Sequence, residues 1–326
     1  MKFIRKNCIS FAGLIPVLLF FVCVFGREAA AQSYSQDMKR QSARSDILTG
    51  GTIEKTALAP GDGNLRITVN VPSFQMTLWQ NDKEVKTYPI GVGLKEYPIY
   101  VGFRQASAII WNPVWIPPNS DWVHQSKNVK AGEIILPTDP RNPLGKMKIP
   151  LGYGYLIHQA KGAGDLGSLV SHGCVRVMQT DLYDLADKII AARQVDIPKQ
   201  KIAVARRTKK ILVAELEPVI PVEITYDTMV VEAGKLRIYP DVYERNTNTT
   251  ENLRAELVSN GVNAADLDDA TLNKMLARAV AKKQFVVSVR NIEAGKALIG
   301  GQTVAVLASA AERNMKNVVK KRRNLR

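Results

Sequence analysis

The sequence predicts a mainly β fold: a β-sandwich-like pair of sheets with one short helix, followed by a small α+β unit. Three observations carry this prediction. From Leu65 onward apolar residues alternate with polar ones, the period of a half-buried strand. Seven prolines between Pro98 and Pro143 break any long helix there. Only "TDLYDLADKIIAAR", from Thr180, places apolar residues at helical spacing within the first two hundred positions.

Taken in order, "LRITVNV" sets Leu65, Ile67, Val69 and Val71 on one face, and "FQMTLW" does the same with Phe74, Met76 and Leu78. "QNDKE" supplies a turn and "VKTYPIGVG" a third strand, so a hairpin is expected. "YGYLIH" reads as a buried strand ending at His158. In the helix, Thr180 is the expected N-cap, and Leu182, Leu185, Ala186, Ile189 and Ile190 form the buried stripe. Past residue 205, "PVEITYD", "MVVEAGKLRIYPD", "QFVVSVRN" and "QTVAVLAS" read as strands. "TENLRAELVSNG" and "DLDDATLNKMLARAVAKK" read as helices, the first closed by Asn260-Gly261.

The two ends have a different character. Lys2, Arg5 and Lys6 precede an apolar run from Ile9 to Phe25 and then Ala29-Ala30-Ala31, the layout of a secretory signal peptide cleaved after Ala31. A retained anchor is the alternative, but this run is shorter than the roughly 20 residues a span needs. The expected organisation is therefore a signal peptide over 1–31, a polar linker over 32–64, a first domain over 65–205, an accessory domain over 206–312 and a basic tail over 313–326.

Export constrains the chemistry. Of three cysteines, Cys8 and Cys23 lie in the signal segment, leaving Cys174 with no internal partner. A disulfide framework is excluded, and a lone thiol outside the cytoplasm is a candidate reactive group. The net charge of +15 falls to +12 on cleavage, which suits an anionic partner such as a wall polymer or an acidic membrane surface. No nucleic-acid-binding signature accompanies that charge, and nucleic acid is not an expected partner.

Two of the three histidines lie near the thiol in "IHQAKGAGDLGSLVSHGCVRV", residues 157–177, both ahead of it. A cysteine is often just a small buried hydrophobe. It attacks only as thiolate, and an adjacent imidazole or positive dipole must lower its resting pKa of about 8.5. His158 and His172 are candidates for that role. The loop "KGAGDLG" can return the chain to the strand end, and Gly173 permits a tight bend that aims the Gly173 and Cys174 amides at a developing oxyanion. A zinc site using His158, His172, Cys174 and His124 is the rival reading.

"HQAKGAGDLGSLVSHGCVR" resembles the signature of the L,D-transpeptidases, the YkuD-like catalytic domain: a histidine, a glycine-containing loop, then Ser/Thr-His-Gly-Cys, a hydrophobe and Arg or Asn. The resemblance extends over about residues 65–198 and includes "NPLG" at Asn142 to Gly145. It implies Cys174 as nucleophile, His158 as general base, and the Gln159 backbone carbonyl orienting that base. It also implies His172 as a site-shaping residue and the amides of His172, Gly173 and Cys174 as oxyanion donors. Ser171, Arg176 and Tyr153 are then candidate substrate-binding residues. Each has a plainer reading: Ser171 and His172 fix the loop, Arg176 makes a structural ion pair, and Tyr153, like Trp111 and Trp115, packs as an ordinary aromatic. Two departures stand out. "YPIYVGFRQ" replaces the family's Pro-Thr-Gly, and Gln159 replaces the glycine after the upstream histidine.

The resemblance implies acyl transfer on peptidoglycan stem peptides. The thiolate would attack the bond to a terminal D-Ala, form a thioester and pass the acyl group to an amine: a diaminopimelate side chain, a D-amino acid or a lysine of an envelope lipoprotein. It implies no metal and no organic cofactor, a periplasmic or wall location, and acylation of the thiol by carbapenems. An L,D-carboxypeptidase or endopeptidase would use the same thioester, and a non-catalytic wall-binding protein is the alternative outside enzymes. The tail, with Arg313, Lys316, Lys320 and Lys321 among its basic residues, is either solvated or attached to an anionic wall or membrane surface.

Overall fold

The computed structural model describes residues 64–264 and 267–308, together with 310 and 314. The expected signal segment, all of the linker but Asn64, and all of the basic tail but Asn314 lie outside the described residues. The described fold is mainly β, as the patterning predicts. Strands β1 (Leu65–Asn70), β2 (Gln75–Gln80) and β3 (Lys83–Pro89) form an antiparallel meander. Alternate burial along β1 follows its alternate apolar residues. Asn81 and Asp82 both take positive φ between β2 and β3, the left-handed pair that a two-residue hairpin turn requires.

The chain continues through β4 (Val92–Gly93), β5 (Gly102–Trp111), the short helix α1 (Asp121–His124), β6 (Met147–Pro150), β7 (Leu156–Gln159), β8 (Leu169–Ser171) and β9 (Val175–Val177). Helices α2 (Gln179–Arg193) and α3 (Lys199–Arg207) follow, and then β10 (Leu212–Thr225). Eight strands make one mixed sheet in the order β3-β2-β1-β10-β5-β6-β7-β9, and β4 pairs with β8 in a separate two-stranded piece. The parallel pairs in the large sheet are β1–β10 and β7–β9. Leu182, Leu185, Ala186 and Ile189 of α2 join the same core as Ile67, Val69, Trp111, Ile157 and Val175.

Two expectations are corrected. Thr180 does not cap α2: the N-cap is Met178, without a side-chain bond, because the helix starts almost directly off β9. The division after residue 205 does not separate two sheets. Strand β10 lies between β1 and β5, with Ile220, Val222 and Ile224 buried in the first core. Its sequence contains Pro218 and Pro221, residues that ordinarily mark strand edges. The ladder accommodates Pro218 through a register shift between Glu215 and Ile220, whereas Pro221 stays in register opposite Gln105.

The remaining elements are β11 (Met229–Glu232), β12 (Lys235–Ile238), α4 (Thr250–Ser259), α5 (Asp269–Leu276), β13 (Lys283–Ser288), α6 (Val289–Glu293) and β14 (Gln302–Ala305). They form an antiparallel sheet, β11-β12-β13-β14, over a second core containing Leu236, Ile238, Leu253, Leu257, Phe285 and Val287. Side-chain caps start both longer helices: Thr249 accepts from the Asn252 amide and Asp268 from the Thr271 amide.

Because β10 completes the ladders of both β1 and β5, a chain ending after Arg207 will lack a cooperative thermal transition by circular dichroism. A sharp melt of that truncated chain would contradict the central place of β10.

Candidate active site

The site forms where β9 closes the end of the large sheet. Parallel register sets His158 of β7 opposite Arg176 of β9, and antiparallel register sets Lys148 of β6 opposite His158. Opposed residues on neighbouring strands share a face, so Lys148, His158 and Arg176 make one row across three strands. Cys174 precedes β9 by one residue. The free edge of β9 is covered by the end of the third-strand segment: Gly91 and Arg176 exchange both backbone hydrogen bonds, at 2.9 and 2.8 Å.

The turn before Cys174 is held from several sides. The Ser171 hydroxyl donates to the Cys174 carbonyl at 2.6 Å, and the Leu94 amide donates to the Ser171 carbonyl at 2.8 Å. Gly173 has φ +104°, and a Cβ there would lie 2.6 Å from the Tyr155 ring. A Cβ on Gly93 would lie 3.0 Å from the Gly173 Cα. No larger residue fits at either position without moving the loop.

His158 is 2 % exposed. Burial above all, then the Arg176 charge and the more weakly felt Lys148, drive its pKa down to about 3, although the Gln159 and Leu144 carbonyls favour the protonated ring. Nδ1 nevertheless makes no well-formed hydrogen bond among the described residues. Cys174 is half-buried as a residue, but its thiol lies deep enough that burial pushes its pKa up. A hydrogen bond from the Leu156 amide and the charges of Arg176 and Lys148 work in the other direction. The resting pair is therefore neutral imidazole and neutral thiol.

The other sequence-proposed residues are sorted by this geometry. His172 is exposed, yet its ring stacks on Trp122 at 4.2 Å between centroids and meets Tyr97 at 4.7 Å. The Gln159 side chain turns away from the base and accepts a hydrogen bond from the Lys146 amide at 2.8 Å, anchoring the turn after "NPLG". Arg176 is 8 % exposed; its Nη1 lies 4.0 Å from Asp165, and Nε and Nη1 make no hydrogen bond among the described residues. Tyr153 sits at positive φ in the β6–β7 turn, 57 % exposed, under the Arg104 guanidinium. Trp111 is fully buried in the core, and Trp115 stacks on Trp122. The zinc reading is not supported: His124 pairs with Asn119 at 2.7 Å, and no group of three or more candidate ligands converges among the described residues.

Sequence reasoning missed Lys148, Tyr155, Tyr97 and Trp122, because their approach to the loop depends on strand register and loop packing. It also missed Tyr243. Beyond the large sheet, the Tyr243 hydroxyl donates to the Gly93 carbonyl at 3.1 Å and accepts from the Ile99 amide at 3.3 Å. Residues after β10 thus hold both ends of the loop that carries Tyr97.

A thiol directly before β9 and an imidazole in the parallel neighbour β7, with glycine-enforced close packing around the turn before the thiol, make a candidate cysteine-and-histidine site on a mainly β domain. Residues 64–197 match the model of the YkuD family, the L,D-transpeptidase catalytic domain. The chain is 29 % identical over 160 residues to the probable L,D-transpeptidase ErfK/SrfK of Escherichia coli K12, covering 46 % of this chain and 49 % of that protein. It is 31 % identical over 155 residues to the probable L,D-transpeptidase YbiS of the same strain, covering 43 % and 47 %. The chain thus spans about half the length of the relatives it matches. A solved L,D-transpeptidase from Mycobacterium smegmatis aligns at 13 % identity and a TM-score of 0.31, covering 50 % of this chain and 58 % of that one. L,D-transpeptidase 1 of Mycobacterium tuberculosis aligns at 15 % and 0.29, covering 49 % and 61 %.

The depressed His158 pKa gives a pH signature. The unfolded histidine binds a proton near its ordinary 6.5 and the folded one only near 3, so the unfolded state carries more protons between these values. Stability from this residue is therefore present above pH 6.5 and lost as pH falls toward 3, by up to about 1.4 kcal/mol per unit. Thermal melts at pH 4.5 and 7 will separate more for the wild type than for His158→Asn. Parallel pH curves would contradict the buried, neutral imidazole.

Proposed function

We propose that the chain is an exported peptidoglycan L,D-transpeptidase in which Cys174 carries the acyl group. The observation that supports this most is the placement of Cys174 directly before β9 and of His158 in the neighbouring strand β7, opposite Arg176 two residues further on, within a segment that matches the L,D-transpeptidase catalytic domain. Covalent catalysis by a thiol needs a base within reach and donors for the oxyanion. The signal-type sequence over 1–31 and the high positive charge fit an extracytoplasmic, anionic substrate.

In this mechanism His158 takes the thiol proton as the sulfur attacks the carbonyl that joins the L-centre of the third stem residue to D-Ala. The amides of His172, Gly173 and Cys174 receive the oxyanion. Collapse breaks the carbon–nitrogen bond, and His158 returns the proton to the amine of departing D-Ala, leaving a thioester. A second amine attacks the thioester, gives its proton to His158 and expels the thiolate. An imidazole held at low pKa is a reluctant base and a strong acid, so the surroundings of His158 favour the proton-return step. The Gln159 carbonyl orients the ring, Ser171 holds the turn, and Arg176, with two nitrogens that make no hydrogen bond among the described residues, receives a substrate carboxylate. Tyr153 and Arg104 form part of the rim. Export, stem-peptide donors, a lipoprotein acceptor and acylation by carbapenems belong to this same reading, as does a basic tail that contacts an anionic surface. We assign the unit after β10 the role of fixing the loop between Gly93 and Ile99.

With disaccharide-tetrapeptide muropeptide, the mature protein will yield a cross-linked dimer lacking one D-Ala by mass spectrometry, and Cys174→Ala will yield none. His158→Asn will lose at least about a hundredfold in rate, the scale of a general acid–base contribution. Tripeptide monomer alone would redirect the proposal to a hydrolase, and turnover by Cys174→Ala would end it.

A further inference from the structure

Lys148 takes no part in the mechanism above, yet its position is unusual. It lies in β6 between core residues Met147 and Ile149 and is 5 % exposed. Burying an ammonium carries a large desolvation cost unless something offsets it. The Val114 carbonyl, 3.4 Å from Nζ, is one hydrogen-bonding partner. A methionine or leucine would fill such a strand position without that cost, so packing alone gives no account of the charge.

The register supplies one. Lys148, His158 and Arg176 occupy consecutive strands in a single row, with Cys174 next to its far end. Among the described residues, His158 from β7 and Cys174 before β9 interact electrostatically with Lys148, and Arg176 lies one strand further along the row. A fixed cation in a water-poor site favours an anion nearby and disfavours a second cation. Lys148 and Arg176 therefore act on the two reacting groups alike: both stabilise thiolate at Cys174, and both oppose imidazolium at His158. The coupling is mutual: burial lowers the Lys148 pKa, charge on Cys174 opposes that, and the two together hold it at about 8.

We propose that Lys148 is a positioning residue of the acyl-transfer site, a buried cation that stabilises the Cys174 thiolate from the β6 side while Arg176 does so from β9. The inference rests on Cys174 being the nucleophile. It assigns a role to a residue outside both the "HQAKGAGDLGSLVSHGCVR" stretch and the "NPLG" turn.

The test is the pH dependence of Cys174 alkylation by iodoacetamide in the full chain, which needs no peptidoglycan substrate. Lys148→Met will move the alkylation midpoint up by about one pH unit, and Lys148→Arg will bring it back toward the wild type. A folded Lys148→Met protein with the wild-type midpoint, or Met and Arg variants shifted alike, would overturn the proposal. A second measurement keeps Lys148 in place and avoids any folding defect. In protein labelled at lysine Cε, the Lys148 carbon resonance will titrate at lower pH in Cys174→Ala than in the wild type, because the partner anion is gone; equal midpoints would overturn the proposal. Muropeptide turnover separates the two levels. Cys174-dependent turnover with an unshifted Lys148→Met midpoint defeats only the role of Lys148, whereas turnover independent of Cys174 defeats the functional reading beneath it.

Discussion

The parallel pairing of β7 with β9 is the constraint on which the rest of the site depends. One residue of slip would send His158 and Arg176 to opposite faces of the sheet. The pairing is fixed from both sides. On one side, β6 and β7 form a tight hairpin in which the Leu151 amide donates to the Tyr155 carbonyl. On the other, Gly91 closes on Arg176 and Leu94 closes on Ser171. Glycines at 93 and 173 let these backbones approach. The same closeness puts Tyr155 behind the loop and Trp122 and Tyr97 against His172.

Burial then decides the electrostatics. In a water-poor site the charged forms of both imidazole and thiol are disfavoured, and nearby fixed charges set the balance between them. Arg176 acts on both groups, Lys148 joins it, and each pushes the pair toward neutral imidazole with thiolate rather than imidazolium with thiol. In the proposed mechanism the sulfur carries negative charge twice, as it attacks the stem-peptide carbonyl and as it leaves the second tetrahedral intermediate, and that arrangement suits both.

Much of this was legible in the sequence where local rules govern. The alternation of Leu65, Ile67 and Val69 marks β1, Asn81-Asp82 marks a hairpin turn, and the resemblance over His158 to Cys174 marks the candidate site. What was not legible depends on distant pairing. Strand β10 meets β1 from about 150 residues away, and its prolines disguise a central strand. Lys148 reads as an ordinary basic residue until register sets it beside His158. The fate of the Gln159 side chain depends on a turn 13 residues earlier. Local spacing also left a zinc site open, because the spacing of His158, His172 and Cys174 does not reveal whether their side chains converge.

The most direct test of the central claim is peptide mapping of the covalent adduct formed when the mature protein meets a tetrapeptide donor without an acceptor amine. The account predicts a thioester carrying the donor minus D-Ala, located on Cys174 and absent from Cys174→Ala. An adduct on any other residue, or D-Ala release with no adduct in a rapidly quenched sample, would contradict it.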